Sequence, residues 1–325
     1  MAENSHLLKN NTSYEIDIIS DLVYASPNGR ELLADLYLPK NRNRPVPVII
    51  WLHGGGWRFG DRKLGPDFSK YFASYGYAMV SIDYRLSGEA TFPAPIHDVK
   101  TAIRWVKSIA EEYGINRKKI GLWGSSAGGH LTAFAAATGS SLFLGETPEY
   151  EEWSSEVQAV AVGYGPVDFL KIDEQKGVNG IIEGDPESVQ ISADKKSSDP
   201  DSFESLFIGA PIETCPDLVR KANPVTYVKQ GLPPFLIMHG LSDVAVPAQQ
   251  SELLYEAMVE KGNDVSLYLI EGLGHGFFNR TNLDDAGPRS VKYRSSHNGI
   301  EVSAEEISCL IFHTIEAFFR KTFER

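Results

Sequence analysis

The stretch Lys119–Phe134, KIGLWGSSAGGHLTAF, decides how the rest of the chain is read. An apolar run ends at Trp123, and a helical pattern, HLTAFAAAT, begins at His130. Between them Gly124, Ala127, Gly128 and Gly129 crowd around one serine, Ser126. Gly124-Ser125-Ser126-Ala127-Gly128 fits G-x-S-x-G. The pattern alone is permissive, but its setting between a strand and a helix is the one a nucleophile elbow requires. There the serine sits in a strained turn, so the residues two positions away on each side must lack bulk. The helix that follows adds its N-terminal amides and dipole. The plain alternatives are a glycine-rich turn or a phosphate cradle. A cradle is disfavoured, because neither a following Gly-Lys-Ser/Thr nor the G-x-G-x-x-G spacing is present.

Working outward, the same alternation recurs. Apolar, β-rich runs end at glycine or proline breaks and give way to helical patterns. ELLADLYLP (31–39) alternates like an edge strand. VPVIIWL (46–52) is a β-branched run of the kind buried on both faces. YAMVSIDYRL, KIGLWG, VQAVAVGYG, PFLIMHG and VSLYLIEG complete the strands. Asp98 is expected to open one helix that ends by Gly114, and Pro247 another that stops at Gly262. Ser303 and Glu306 have capping-box spacing ahead of Ile307, Leu310 and Ile311, which predicts a last helix. Strands alternating with helices imply a mostly parallel sheet covered on both faces, an α/β fold. Residues 1–325 read as a single domain. One segment breaks the rhythm: about 168–223 is polar, acidic and without period, and too long for a plain connection. It is expected to be a lid or substrate-binding insertion. A second, shorter interruption runs from Asn279 to about Ile300.

Composition narrows the function classes. The 325 residues carry 31 basic and 43 acidic side chains, a net charge of −12. Such a chain gains little from a phosphate backbone or an anionic membrane, so nucleic-acid and membrane roles are disfavoured. Cys215 and Cys309 are the only cysteines and form neither a disulfide framework nor a zinc site. No signal-peptide core opens the chain and no apolar run reaches membrane-spanning length, so a cytoplasmic location is expected. No metal or cofactor is implied.

His53-Gly54-Gly55-Gly56-Trp57 follows the first buried run. Consecutive glycines let backbone amides approach a ligand, as an acyl-transfer site needs for a tetrahedral oxyanion. A serine hydroxyl also needs a base. His275, in IEGLGHGFF, stands at a strand's carboxyl end between two glycines, where open α/β sheets place ligands. His239, in the strand end FLIMHG, is expected to pack. His53 belongs to the glycine loop, His130 lies along the helix behind the serine, and His97 reads as part of a helix start. The imidazole in turn needs a carboxylate. Asp243, in HGLSDVAVP, is preferred; Asp168 competes but opens the insertion. Asp83 is expected to be structural, near Arg85.

With HGGGW, GSSAGGH, GLSDVAVP and GLGHGFF in this order, and FPAPIHDVKTAIRWV (92–106) between, the chain resembles the α/β-hydrolase serine esterases from about Glu31 to Phe323. The branch is that of the hormone-sensitive-lipase-like carboxylesterases and the bifunctional acetyl-xylan/feruloyl esterases. The resemblance implies an α/β-hydrolase fold, Ser126, Asp243 and His275 as catalytic residues, and amides of Gly55, Gly56 and Ala127 as an oxyanion hole. Ser125 stands where lipase-like members often carry Asp, as in the carbohydrate-esterase-like group. Short acyl or hydroxycinnamoyl esters, on small molecules or plant-cell-wall carbohydrates, are the implied substrates. An amide hydrolase or a non-catalytic binding member would keep the same fold. Within the insertion Val178, Ile181, Ile182, Phe203, Leu206 and Phe207 form short apolar clusters. Phe203, Leu206 and Phe207, with Trp57, are the expected substrate contacts; a homodimer through these clusters is the rival account.

Overall fold

The computed structural model describes residues 14–42, 44–143, 146, 149–176 and 196–324. Val178, Ile181 and Ile182 lie outside the described residues. Ten strands form one sheet among them: β1 (Ile16–Ala25), β2 (Leu32–Pro39), β3 (Val46–Leu52), β4 (Ala78–Ile82), β5 (Ile115–Ser125), β6 (Ala159–Gly163), β7 (Phe235–Gly240), β8 (Val265–Ile270), β9 (Arg289–His297) and β10 (Ile300–Cys309). Their spatial order is β1-β2-β4-β3-β5-β6-β7-β8-β9-β10. The six central strands, β4 to β8 in that order, are mutually parallel. Antiparallel pairs flank them on both sides. The helices are α1 (Phe68–Tyr71), α2 (Ala94–Ser108), α3 (Ala127–Thr138), α4 (Ile172–Gln175), α5 (Phe203–Ile208), α6 (Pro216–Ala222), α7 (Gln249–Glu260) and α8 (Ile311–Phe323).

The continuous apolar runs have the predicted cause. On β3, Val48, Ile50 and Leu52 point into one core while Ile49 and Trp51 point into the other. Period-two alternation thus buries both faces, and each such side chain contributes about 1.5–3 kcal/mol. The larger core is closed by α2, α3 and α7, the smaller by α1 and α8.

Several expectations need correction. The alternating segment 31–39 is not at the edge: β2 lies between β1 and β4, and β1 forms the edge. Helix α2 starts at Ala94, just after Pro93, rather than at Asp98, which lies inside the helix with its carboxylate in a bidentate pair with Arg85. Asp83 is structural, but its partner is Arg62, whose guanidinium also meets Asp35 and Asp21. Ser303 and Glu306 do not cap a helix; they sit on β10, paired with β9. The true α8 begins at Ile311, and its first amides, on Ile311, Phe312 and His313, donate to the carboxylate of Asp284, 27 to 29 residues away. The segment 168–223 is not structureless where it is described. Its helices α5 and α6, with the turn between them, place Phe207, Ile208, Ile212, Val219 and Ala222 in the larger core.

Candidate active site

Four loops at the carboxyl ends of parallel strands meet: those after β3, β5, β7 and β8. Loops at this edge form the ligand crevice of open α/β sheets. Ser126 stands between β5 and α3 with φ 52° and ψ −121°, a strained conformation for a residue with a Cβ. Its neighbours must be small. A Cβ on Gly124 would lie 2.4 Å from the carbonyl oxygen of Gly128, and one on Gly128 would lie 2.1 Å from that of Leu52. The elbow is pinned by the Ser126 amide donating to Gly163 O at 2.9 Å and the His130 amide donating to Ser126 O at 3.0 Å.

Ser126 Oγ is 2.7 Å from His275 Nε2, and His275 Nδ1 is 2.7 Å from Asp243 Oδ2. All three residues are buried, His275 at 2% exposure and Asp243 at 0%. Asp243 Oδ1 accepts from the amides of Ala245 and Val246, both at 2.9 Å. Burial alone would raise the Asp243 carboxyl, but the imidazoles of His275 and His239 outweigh it and hold it well below the usual carboxylate range. It is therefore a fixed anion facing Nδ1, which leaves Nε2 as the acceptor for the serine hydroxyl. The β7 and β8 loops meet because Gly240 has no side chain: a Cβ there would lie 2.2 Å from Leu273 O. The Ser242 amide donates to that same oxygen at 2.9 Å. Asp168, the competing acid, accepts instead from Asn223 Nδ2 at 2.9 Å, on the insertion side.

Gly55, Gly56 and Ala127 line one cavity of about 260 Å³ with Ser126 and His275. Gly55 (φ 104°) and Gly56 (φ 60°) adopt left-handed backbone, and a Cβ on Gly55 would strike Phe59 O at 2.2 Å. The loop is held from behind. Tyr84 hydroxyl donates to His53 O at 2.9 Å, and the His53 ring stacks on Tyr84. The apolar wall is Trp57, Phe59, Leu64, Phe203, Ala245 and Val246. The polar end is Lys176, Lys196, Asp201, Ser202 and Glu204. Burial raises the Glu204 carboxyl above its ordinary range, with Lys176 acting against it.

The expected substrate contacts divide. Phe203 lines the cavity, its ring resting on Gly56, where a Cβ would meet it at 2.6 Å. Trp57 also lines it, although only 1% exposed. Phe207 is a core residue instead: fully buried, it stacks on Trp57 with ring centroids 4.5 Å apart and packs beside Phe92, Phe169 and His130. Leu206 is half-buried and outside the cavity lining. Sequence reasoning missed Phe59, Glu204 and Tyr164. Tyr164 takes φ 37° at the end of β6, with its ring against His275 and its hydroxyl accepting from the Phe278 amide at 3.2 Å. Its place between two glycines in VGYG was the available signal. Among the described residues no helix is long and apolar enough to cross a membrane.

Comparison with known proteins bears on the family and the fold. The family model BD-FAE matches residues 34–258. Esterase LipC of Mycobacterium tuberculosis is 32% identical over 249 residues, 75% of this chain and 57% of LipC. The chain spans about half the length of the curated relatives it matches. Among solved structures, a truncated carbohydrate esterase from gut microbiota superposes with a TM-score of 0.69 at 27% identity, covering 97% of this chain and 99% of that one. A butyrate-bound thermophilic esterase, Est2 of Thermogutta terrifontis, gives 0.60 at 26% identity, covering 83% and 89%. The architecture is that of the α/β-hydrolases.

Proposed function

The chain belongs to the BD-FAE family, and on that premise we propose that it is a serine carboxylesterase working through an acyl-enzyme. The observation that carries this reading is the continuous Ser126–His275–Asp243 hydrogen-bonded line, opening at Ser126 onto the cavity. Ser126 Oγ attacks the ester carbonyl while its proton passes to His275 Nε2. The Asp243 carboxylate holds Nδ1–H and stabilises the imidazolium. The oxyanion is received by the amides of Gly55, Gly56 and Ala127, the last at the N-terminus of α3, where the helix dipole favours negative charge. One such donor typically contributes about 3 kcal/mol of barrier lowering. Collapse expels the alcohol, which takes the proton from Nε2. Water then attacks the acyl-enzyme with His275 again as base.

The substrates we propose are short-acyl or hydroxycinnamoyl esters of carbohydrates. Two features support this. The wall of Trp57, Phe59 and Phe203 offers flat apolar contact, and the polar end offers both donors and acceptors to a hydroxyl-rich alcohol. The carbohydrate esterase from gut microbiota, similar over nearly the whole chain, points the same way. Hydrolysis rates on p-nitrophenyl acyl esters, acetylated xylan, methyl ferulate and matched anilides test the reading. Ester turnover with fluorophosphonate labelling of Ser126 is expected. Labelling without ester turnover, or anilides cleaved faster than esters, would refute it.

A further inference from the structure

Asp243 is met by a second imidazole that the proposed mechanism does not use. His239, four residues earlier in β7, is fully buried. Its Nε2 lies 3.2 Å from Asp243 Oδ2, the same oxygen that accepts from His275 Nδ1 at 2.7 Å. The same Nε2 is 2.8 Å from the carbonyl oxygen of Val246. A carboxylate and a carbonyl can only accept, so Nε2 carries the hydrogen. Nδ1 is 2.7 Å from Ser251 Oγ on α7, whose hydroxyl can donate to it. The partners thus place a hydrogen on Nε2 and fix the plane of the ring. They also close a small circuit. Val246 accepts from His239 through its carbonyl and donates to Asp243 Oδ1 through its amide.

We propose that His239 is a positioning residue for the reaction: it clamps the Asp243–Val246 turn and shares Oδ2, so that His275 meets one carboxylate orientation with moderated charge. The inference rests on the serine-esterase reading above. Its consequence is electrostatic as well as steric. An N–H dipole on Oδ2 draws part of the charge that would otherwise act on His275. Without it the imidazolium form of His275 is favoured more strongly, and the acid limb of kcat/KM moves to higher pH. A freed carboxylate also loses its fixed orientation, so kcat falls. Among the described residues, the titratable groups Asp243 and Tyr164 face the two imidazoles. The Tyr164 ring lies 4.9 Å from that of His275 and 6.4 Å from that of His239, between centroids.

The test compares His239→Leu, His239→Gln and Ser251→Ala on p-nitrophenyl acetate across the histidine titration range, with fluorophosphonate labelling to count competent sites. In His239→Leu, kcat is expected to fall between about ten- and a hundredfold while KM changes by less than about twofold. Its acid limb should move upward. Gln retains an N–H donor near the Nε2 position, so His239→Gln should recover most of the rate and the wild-type limb. Ser251→Ala should shift the limb the same way by less. An unmoved limb in His239→Leu overturns the inference, as does loss of rate that Gln fails to rescue, since packing alone would then explain it. If His239→Leu does not fold, an unmoved limb in Ser251→Ala overturns it equally. A wild-type protein that neither turns over esters nor labels would sink the esterase reading and this inference with it. An active, labelled wild type with unmoved variants sinks this inference alone.

Discussion

Ser126 holds a backbone conformation that costs free energy, and the surrounding residues are what keep it there. Gly124 and Gly128 approach carbonyl oxygens so closely that a side chain on either would displace the α3 or β3 backbone. The same logic separates the two candidate acids. Asp243 receives His275 at 2.7 Å, whereas Asp168 is occupied by Asn223. Replacing Ser126 or His275 with Ala is expected to lower kcat by about 10⁶-fold, and Asp243→Asn by about 10⁴-fold. The Ser126/His275 double variant should be little worse than either single, because the groups act as a unit. Asp168→Asn should leave kcat nearly unchanged. Steady-state kinetics on a p-nitrophenyl ester decides; a variant at Asp168 more damaging than Asp243→Asn would reverse the assignment. These positions were legible in the sequence because a strained elbow and a close glycine loop admit few residue types. Tyr164 and His239 were not, because an aromatic and an imidazole fit a plain core equally well.

At the scale of elements, α5 shows how one short helix serves two purposes. Ser202 caps it, its side chain accepting from the Ser205 amide. Phe203 then faces the cavity over Gly56, while Phe207, one turn on, fills the core against Trp57. The spacing of four puts both on adjacent turns, but neighbouring elements decide which one faces the cavity. Phe203→Ser is therefore expected to raise KM several-fold or change acyl-length preference, with kcat on a small acetate ester nearly kept. Phe207→Ala should instead destabilise by about 3–5 kcal/mol without changing acyl preference. Thermal melts beside an acyl-length series separate the two; a changed preference in Phe207→Ala at unchanged stability would contradict the assignment. The hairpin β9–β10 carries a turn signal in the sequence. Asn298 (φ 51°) and Gly299 (φ 75°) form a left-handed Asn-Gly turn of the kind that joins two antiparallel strands. The flanking strands hid it, since β9 is mostly polar in sequence and β10 is largely exposed, so neither shows a clean apolar alternation. β1 is mostly apolar but lacks a clean alternation, and its register is irregular between Ile19 and Leu22.

Across the whole molecule, two cores share one sheet, and several histidines are buried within them. His130 is the extreme case. Burial pushes it down to about 4, against the hydrogen bond from Nε2 to Ala222 O at 2.8 Å, which works the other way. An unfolded chain would protonate this histidine near 6.5 and the folded one only near 4. Between those values the unfolded state binds more protons, so stability falls as pH falls. His53 and His97 are lowered by burial as well and act in the same sense. Asp243 adds its own loss only below the ordinary carboxylate range. From neutral pH to pH 5, His130 alone should remove about 2 kcal/mol, or about 4 °C of melting temperature. His130→Gln should flatten that dependence; a wild-type melting temperature constant over the window would refute it. The sequence by itself determined the parallel sheet, the order of the motifs and the identity of the elbow. Apolar periodicity and obligatory glycines are local properties, written in neighbouring residues. Only the tertiary structure decided that Asp243 serves two histidines, that Asp284 caps a helix beginning 27 residues later, and that Phe203 rather than Phe207 faces the cavity. Each needs a contact between segments far apart in the chain, such as His275 on Asp243 or Phe203 on Gly56, and those contacts are set by how loops and helices pack on the sheet.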